Sequence, residues 1–205
     1  MNGIKCYRKG GCGPYEMCSC NNCPASKPEY ASRYSSATSQ SSKLTPLPKV
    51  SEIKYVDGDI LTSPSEDNAG SVIICHQVNC KGVMGAGLAK QIRTRFPEVY
   101  YHYKESCDSG GSSRLGEVQL VSCLAGAGYL VANIFGQDGY GRDKCYTDYE
   151  ALRRAFRWLS SMTGWTIRIP YNFGCGLGGG DWATVLNIIQ TELADKGCKV
   201  EIWKL

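Results

Sequence analysis

Residues 71–88 have the sequence SVIICHQVNCKGVMGAGL, an apolar run followed by a glycine-rich loop and the start of a helical pattern. A continuous apolar run of this length is typical of a strand buried in a parallel sheet. Glycines between a strand and a helix expose backbone N–H groups at the helix N-terminus, where a phosphate binds best. The stretch therefore predicts an inner strand that leads into an anion-binding loop.

A second loop of the same kind occupies residues 172–180, with the sequence NFGCGLGGG. It follows the apolar run 166–170 and precedes a helical pattern over 182–196, for which Asp181 is a suitable N-cap and Gly197 a suitable end. One glycine loop alone would be better explained by a tight turn. Two loops at equivalent strand-to-helix junctions predict a nucleotide-diphosphate ligand.

Strand and helix patterns alternate along the chain from residue 51 onward. Strands are predicted at 53–56, 71–78, 115–123, 129–135, 166–170 and 199–205, and helices at 88–96, 97–103, 148–161 and 182–196. This alternation predicts a three-layer α/β/α domain with a central mixed sheet. Ligands of such sheets bind at the carboxyl ends of the strands, where both glycine loops fall.

The chain has 205 residues, of which 42% are hydrophobic, enough for one substantial core. No apolar run reaches the roughly 18 residues of a membrane span, and the first residues lack a secretory signal, so we expect a cytoplasmic monomer with no membrane partner. Residues 1–50 carry seven Lys/Arg against two Asp/Glu, and residues 51–205 carry 16 against 17. Residues 51–205 therefore lack the excess of positive charge that broad nucleic-acid binding requires.

Five of the twelve cysteines lie within residues 6–23. Four of them are expected to hold a structural zinc ion, namely Cys6, Cys12, Cys20 and Cys23. The fifth, Cys18, is an extra thiol. The alternatives are a disordered cysteine-rich tail or an oxidised pair. Zinc would supply the folding energy that so short a segment lacks. The predicted organisation is a zinc module at 1–30, a Ser/Pro-rich linker at 31–50 and the α/β domain at 51–205.

Taken together, these residues resemble the macro domain family of ADP-ribose-binding modules. The resemblance spans roughly residues 53–205 and rests on the segments 58–61, 76–89 and 169–177. Neither glycine loop matches the P-loop or Rossmann pattern, which disfavours those enzyme classes. The branch that the chain resembles includes terminal ADP-ribose protein glycohydrolases, thymidine-linked ADP-ribose hydrolases and ADP-ribose-1''-phosphate phosphatases.

The resemblance implies a set of ligand-binding residues. Asp59 would accept a hydrogen bond from the adenine amino group, with Ile60 adding a backbone contact. Asn79 would bind the distal ribose hydroxyls, and Phe173 would cover that sugar. The loops would surround the phosphates with Gly82, Val83, Met84, Gly85, Ala86 and Gly87 on one side and Gly174, Cys175, Gly176, Leu177 and Gly178 on the other. The alternatives are that Asp59 caps a turn, that Asn79 stabilises its loop and that Phe173 belongs to the core.

Catalytic residues are harder to assign, because the resembled glycohydrolases use a lysine and an aspartate where this chain has Gln137 and Gly178. Neither substitute acts as a nucleophile or general base. The phosphatase-like members carry a histidine where this chain has His76, which we expect to act as a base or to orient a water. Asp138 would supply a carboxylate nearby. The alternatives are that His76 is a satisfied core residue and that the loop around Asp138 is a lid.

These observations favour an enzyme that binds ADP-ribose and hydrolyses ADP-ribosyl linkages on protein or nucleic acid, or ADP-ribose-1''-phosphate. The macro domain itself would need no cofactor. The main alternative is a non-catalytic ADP-ribose reader that uses the cysteine segment to find a partner. A third hypothesis makes that segment a nucleic-acid anchor. The missing lysine and aspartate favour the reader, whereas His76 and Asp138 favour the enzyme.

Overall fold

The computed structural model describes residues 51–63, 72–123 and 129–204. The predicted zinc ligands Cys6, Cys12, Cys20 and Cys23 and the predicted linker lie outside the described residues, so both remain predictions. Across the described ranges, no group of His, Cys, Asp and Glu side chains is arranged to hold a metal ion. No helix of those ranges is long and apolar enough to cross a membrane.

Strands and helices alternate along the described residues. The strands are β1 (Lys54–Asp57), β2 (Val72–Asn79), β3 (Val118–Ser122), β4 (Tyr129–Gln137), β5 (Thr166–Pro170) and β6 (Lys199–Lys204). The helices are α1 (Gly87–Arg95), α2 (Pro97–Gly110), α3 (Tyr149–Leu159) and α4 (Trp182–Glu192), with short 3-10 turns at Gly111–Arg114 and Ala194–Lys196. Every strand begins and ends within three residues of its predicted bounds.

The strands form one sheet in the order β1-β6-β5-β2-β4-β3. The first five in that order are parallel to one another, and β3 pairs antiparallel with β4 at the edge. This confirms the predicted mixed sheet. β2 lies between β4 and β5, and seven of its eight residues are buried. Its continuous apolar sequence is explained by burial on both faces.

Helices cover both faces of the sheet. On one face, α3 and α4 pack in an apolar cluster that includes Ile73 and Cys75 of β2. On the other face, α1 and α2 pack in a cluster that includes Val72 and Ile74. Because successive strand residues point to opposite faces, a single strand contributes to both clusters. The domain therefore has the predicted three layers, with the sheet in the middle.

Helix α2 is longer than predicted. It runs to Gly110, whereas the predicted helix ends at Tyr103. Val99, Tyr103 and Cys107 are its buried residues, and they follow one another at intervals of four. This spacing places the three side chains on one helix face. The predicted end was wrong because Cys107 continues the apolar face of α2 for one more turn.

Candidate functional site

A cavity of about 610 Å³ lies at the carboxyl ends of β2, β4 and β5. Its walls come from the end of β2, from both glycine loops and from the segment that follows β4. Cavities of this size are typical of small-molecule sites. The two glycine loops therefore face one shared space.

The first glycine loop leads into an uncapped helix. No side chain of the described residues caps α1, and its first turn carries no acidic residue. By contrast, Asp148 and Asp181 cap α3 and α4, each accepting a backbone N–H at 2.8 Å. The first backbone bond of α1 joins the Lys90 N–H to the Ala86 carbonyl at 3.1 Å, which leaves the amides of 87–89 without an intrahelical acceptor. Such a helix end attracts an anion.

The second glycine loop presents its own group of free amides. Gly174 and Gly179 have φ angles of 76° and 66°, which only glycine adopts readily, and they turn the chain back on itself. The N–H groups of 176–178 donate to no backbone or side-chain acceptor within the described part of the chain. Successive amides in such a turn form an anion-binding nest. Both sides of the cavity therefore supply unpaired backbone donors.

Asn79 holds the first loop in shape from the end of β2. Its Nδ2 donates to the Val83 carbonyl at 2.7 Å, and its Oδ1 accepts from the Lys81 N–H at 2.9 Å. The hydroxyl of Tyr103 donates to Asn79 Oδ1 at 2.8 Å and accepts from the Val83 N–H at 2.9 Å. Burial raises the pKa of Tyr103, so this hydroxyl keeps its proton. Asn79 thus stabilises its loop and also lines the cavity.

Asp59 and Ile60 follow β1 and do not belong to the cavity lining. Asp59 Oδ1 accepts from the Leu61 N–H at 2.9 Å, which closes a short turn. Asp59 Oδ2 lies 3.8 Å from Nη1 of Arg95. Ile60 is buried in the apolar cluster under α1. Asp59 therefore caps a turn, and its contact with adenine stays a prediction.

Most of the predicted loop residues border the cavity, namely Asn79, Val83, Gly85, Ala86, Gly87, Phe173, Gly174, Gly176, Leu177 and Gly178. Gly82, Met84 and Cys175 do not. The Lys104 side chain covers Gly82, Met84 is buried beneath the loop, and the Cys175 thiol donates to the Phe173 carbonyl at 3.4 Å. These three residues shape the loops from behind.

His76 is buried near the end of β2, with 2% of its surface exposed. Its Nε2 lies 2.5 Å from Oδ1 of Asn133. Asn133 Nδ2 donates to Gln119 Oε1, and Gln119 Nε2 donates to a backbone carbonyl of α2. This chain of amides makes Nε2 of His76 the donor and leaves Nδ1 as a buried acceptor with no partner among the described residues. Burial lowers the pKa of His76 to about 4, so the ring is neutral at neutral pH.

Asp138 follows β4 and lies outside the cavity lining. Its carboxylate accepts a hydrogen bond from the Ser112 hydroxyl and pairs with Nζ of Lys81 at 3.0 Å. These two interactions, with Ser112 the stronger, lower the pKa of Asp138. The structure therefore places His76 in the lining and Asp138 in an ion pair outside it.

Gln137 and Gly178 belong to one polar network. Gln77 Nε2 donates to Gln137 Oε1 at 2.6 Å and to Thr147 Oγ1 at 2.9 Å. Gln137 Nε2 donates to the carbonyl two residues further on at 2.6 Å. A Cβ atom on Gly178 would lie 2.5 Å from the Gly174 carbonyl oxygen and from Thr147 Oγ1. No side chain therefore fits at position 178 in this backbone conformation.

Exposed side chains outside the predicted set of site residues also line the cavity, and they include Tyr140, Arg142 and Tyr171. Phe173, by contrast, is buried in the core, and its ring packs against Phe156 with centroids 5.6 Å apart. The two tyrosines are thus the aromatic side chains that are exposed at the rim. No periodic pattern marks them, because they lie in irregular segments.

No protein-family model matches the chain. Among curated relatives, the ADP-ribose 1''-phosphate phosphatase of Saccharomyces cerevisiae is 31% identical over 107 residues, 50% of this chain and 58% of that protein. The DNA ADP-ribosyl glycohydrolase of Mycobacterium tuberculosis is 38% identical over 135 residues, 65% of this chain and 36% of that protein. The chain therefore spans less than two thirds of the length of these relatives.

The fold of the domain is also found in solved structures. A macrodomain protein from Streptomyces coelicolor matches with a TM-score of 0.60 and 27% identity, over 74% of this chain and 98% of that chain. A Bacteroides thetaiotaomicron protein of unknown function matches with a TM-score of 0.66 and 28% identity, over 76% of this chain and 99% of that chain. The α/β domain thus has the macrodomain fold. In sequence and in structure, the domain is thus similar to proteins of the macrodomain kind.

Proposed function

We propose that this domain binds ADP-ribose in the cavity and hydrolyses an ADP-ribosyl linkage or the 1''-phosphate of ADP-ribose. The proposal rests on two sets of backbone N–H groups, at 87–89 and at 176–178, that line the cavity and have no acceptor among the described residues. These are the donors that a diphosphate needs. The names of the relatives add support, since one is a phosphatase of ADP-ribose 1''-phosphate and another a DNA ADP-ribosyl glycohydrolase.

Among the residues that the structure describes, the lining has no acidic side chain to repel a diphosphate. With the diphosphate between the two loops, the distal ribose would lie beside Asn79 and Tyr140, and the adenine would extend past Tyr171, which follows β5, toward Asp59. The ring of Tyr140 would then pack on the sugar or on its acceptor. The two ends of the ligand would thus be distinguished by different kinds of contact.

Under this proposal a water molecule, rather than a lysine, attacks the carbon or phosphorus atom of the linkage, because Gln137 is not a nucleophile. The bond from that atom to the leaving group breaks, and the leaving group takes up the proton that the water loses. His76 would take part as a neutral ring whose Nδ1 accepts a hydrogen bond, since its lowered pKa makes the protonated form rare at neutral pH. Asp138 would act only after leaving its ion pair with Lys81. Both residues remain candidates for catalysis.

Calorimetry with ADP-ribose, ADP and AMP tests the ligand. We expect affinity to fall in that order, because ADP lacks the distal ribose and AMP also lacks the second phosphate. Gly176→Glu adds a carboxylate at a position with open space and is expected to weaken ADP-ribose binding at least about tenfold through charge repulsion. Asn187→Glu places the same charge on exposed α4, outside the lining, and serves as the control. A folded parent that shows no saturable binding would contradict the proposal.

Turnover separates an enzyme from a reader. The substrates are ADP-ribose-1''-phosphate, ADP-ribosylated protein and thymidine-linked ADP-ribose, tested with the parent, His76→Ala and Asp138→Ala. Binding of ADP-ribose by each variant shows whether its site is intact. If both variants bind and hydrolyse as fast as the parent, neither residue is catalytic.

The second candidate function is a non-catalytic ADP-ribose reader, favoured by the network around Gln137. Both carboxamide ends of Gln137 are engaged, and Gly178 has no room for a carboxylate. The lysine and aspartate of the resembled glycohydrolases thus have no counterpart here. Tight binding without turnover of any of the three substrates would establish the reader.

A further inference from the structure

Of the described residues that line the cavity, Arg142 is the one with a positively charged side chain. It is exposed, and it forms no ion pair within the described part of the chain. Its nearest acidic neighbours in sequence are already engaged. Asp138 pairs with Lys81, and Asp143 accepts from the Tyr146 hydroxyl at 2.9 and 3.1 Å. Among the described residues, the Arg142 guanidinium therefore has no carboxylate within ion-pair distance, although the hydrogen bond from Tyr146 leaves the charge of Asp143 in place.

The backbone on both sides of Arg142 is joined to the second glycine loop. The Gly141 N–H donates to the Leu177 carbonyl at 3.1 Å. The N–H groups of Tyr146 and Thr147 donate to the carbonyl of Gly178 at 2.7 and 2.9 Å. These bonds hold the segment around Arg142 against the loop whose amides at 176–178 are free. The Arg142 side chain, which lines the cavity, therefore lies beside this loop.

The two groups of free amides already match the two phosphates of a diphosphate, so Arg142 is an additional anion-binding group. A guanidinium forms paired hydrogen bonds with phosphate oxygens, and such charge-assisted bonds are the strong ones. We propose that Arg142 is a specificity-determining residue that binds a third phosphate, linked to the distal ribose beyond the diphosphate. This inference rests on the proposed function and names the substrate feature that the site selects.

A third phosphate has two chemical sources. It is either a monoester on the distal ribose, as in ADP-ribose-1''-phosphate, or a phosphodiester that flanks an ADP-ribosylated nucleotide. Both present phosphate oxygens to the guanidinium. Competition binding, under conditions of slow turnover, therefore compares ADP-ribose with ADP-ribose-1''-phosphate, and thymidine-linked ADP-ribose with the same group inside a short oligonucleotide.

The variants are Arg142→Gln, Arg142→Lys and the control Arg93→Gln, which removes the same charge from an exposed residue of α1 outside the lining. We expect the parent to bind one of the two ligands with a third phosphate roughly tenfold more tightly than its partner without it. Arg142→Gln should abolish this preference, Arg142→Lys should keep part of it, and Arg93→Gln should keep all of it. The preference should shrink as salt is added.

The pair of ligands that shows the preference identifies the source of the third phosphate. Equal affinities within both pairs, or a preference that survives in Arg142→Gln, would overturn the assignment of Arg142 while leaving ADP-ribose binding intact. Failure of the folded parent to bind ADP-ribose itself would instead overturn the proposed function. The two failures are therefore distinguishable in one set of titrations.

Discussion

At the scale of single residues, the Tyr103 hydroxyl is the point where α2 holds the first glycine loop. It donates to the carbonyl and the Oδ1 of Asn79 and accepts from the Val83 N–H, all within 2.9 Å. Tyr103 itself is fully buried. The Tyr103 hydroxyl thus supports the cavity wall from behind, together with the Asn79 side chain.

Tyr103→Phe removes that oxygen and keeps the ring. We expect it to lower the free energy of unfolding by about 1–2 kcal/mol, since the Asn79 carbonyl loses its hydroxyl donor and the Val83 N–H keeps only its longer contact with Asn79 Oδ1, at 3.3 Å. ADP-ribose affinity should fall as well, because the loop loses an anchor. Urea unfolding and calorimetry measure the two effects. Tyr101→Phe removes an exposed hydroxyl from the same helix and should change neither. Equal stability of the two variants would contradict the anchoring role.

His76 makes stability depend on pH in a defined direction. Its pKa is about 4 in the folded protein against 6.5 as the ordinary value. Between pH 4 and pH 6.5 the unfolded state binds more protons at this residue than the folded state does. The contribution of the neutral His76 ring to the free energy of unfolding is therefore complete above pH 6.5, and it is lost as the pH falls toward 4. The expected loss is about 3 kcal/mol at pH 4.

Urea titrations at several pH values measure this loss, and proton NMR of the His76 ring tests its cause. The chain has two histidines, so His102→Gln assigns the ring signals without touching the buried site. The His76 signal should not titrate until the pH approaches 4. A titration near pH 6.5 in the folded protein would show that the ring is not desolvated.

At the scale of elements, the glycines of the second loop are not equivalent. A Cβ atom at position 178 would meet backbone and side-chain oxygens at 2.5 Å, whereas one at position 176 would meet no atom within 4 Å. Neither residue has a left-handed φ angle, so the comparison isolates packing from backbone strain. Close approach of the loop to Thr147 is what requires glycine at 178.

Gly178→Ala is therefore expected to destabilise the fold by about 1–3 kcal/mol through overpacking. Gly176→Ala should stay within about 0.5 kcal/mol of the parent. Thermal and urea unfolding of the pair measure the difference. Should both alanines be tolerated equally, the second loop would have to be more adaptable than its contacts with Thr147 imply.

The sheet and most helices were predictable because their signals are local and periodic. Strand β5 was predicted at its observed bounds, and the caps Asp148 and Asp181 stand where the helical patterns begin. The residues of the candidate site were harder to predict from local sequence patterns. The positions of Arg142 and Tyr140 depend on hydrogen bonds between distant loops, and the turn closed by Asp59 competes with its predicted role. Neither the hydrogen bonds between loops nor the turn at Asp59 produces a periodic pattern in the sequence.

At the scale of the whole molecule, the proposed ligand would connect two separate strand-to-helix units, β2 with α1 and β5 with α4. A ligand that binds the folded state alone stabilises it according to its concentration. At one hundred times its dissociation constant, ADP-ribose should add about 2.7 kcal/mol to the free energy of unfolding. Thermal unfolding with increasing ADP-ribose measures this gain. Gly176→Glu should show a much smaller shift at the same concentrations.

The sheet order has a consequence for synthesis of the chain. Among the described strands, β1 is the first to be synthesised, yet its sheet partner is β6, the last of them, and β6 in turn lies between β1 and β5. While the ribosome is still translating the middle of the domain, β1 has no neighbour with which to pair. The sheet is completed only once residues 199–204 have left the exit tunnel, so the domain must finish folding late, with two strand edges open to chaperones until then.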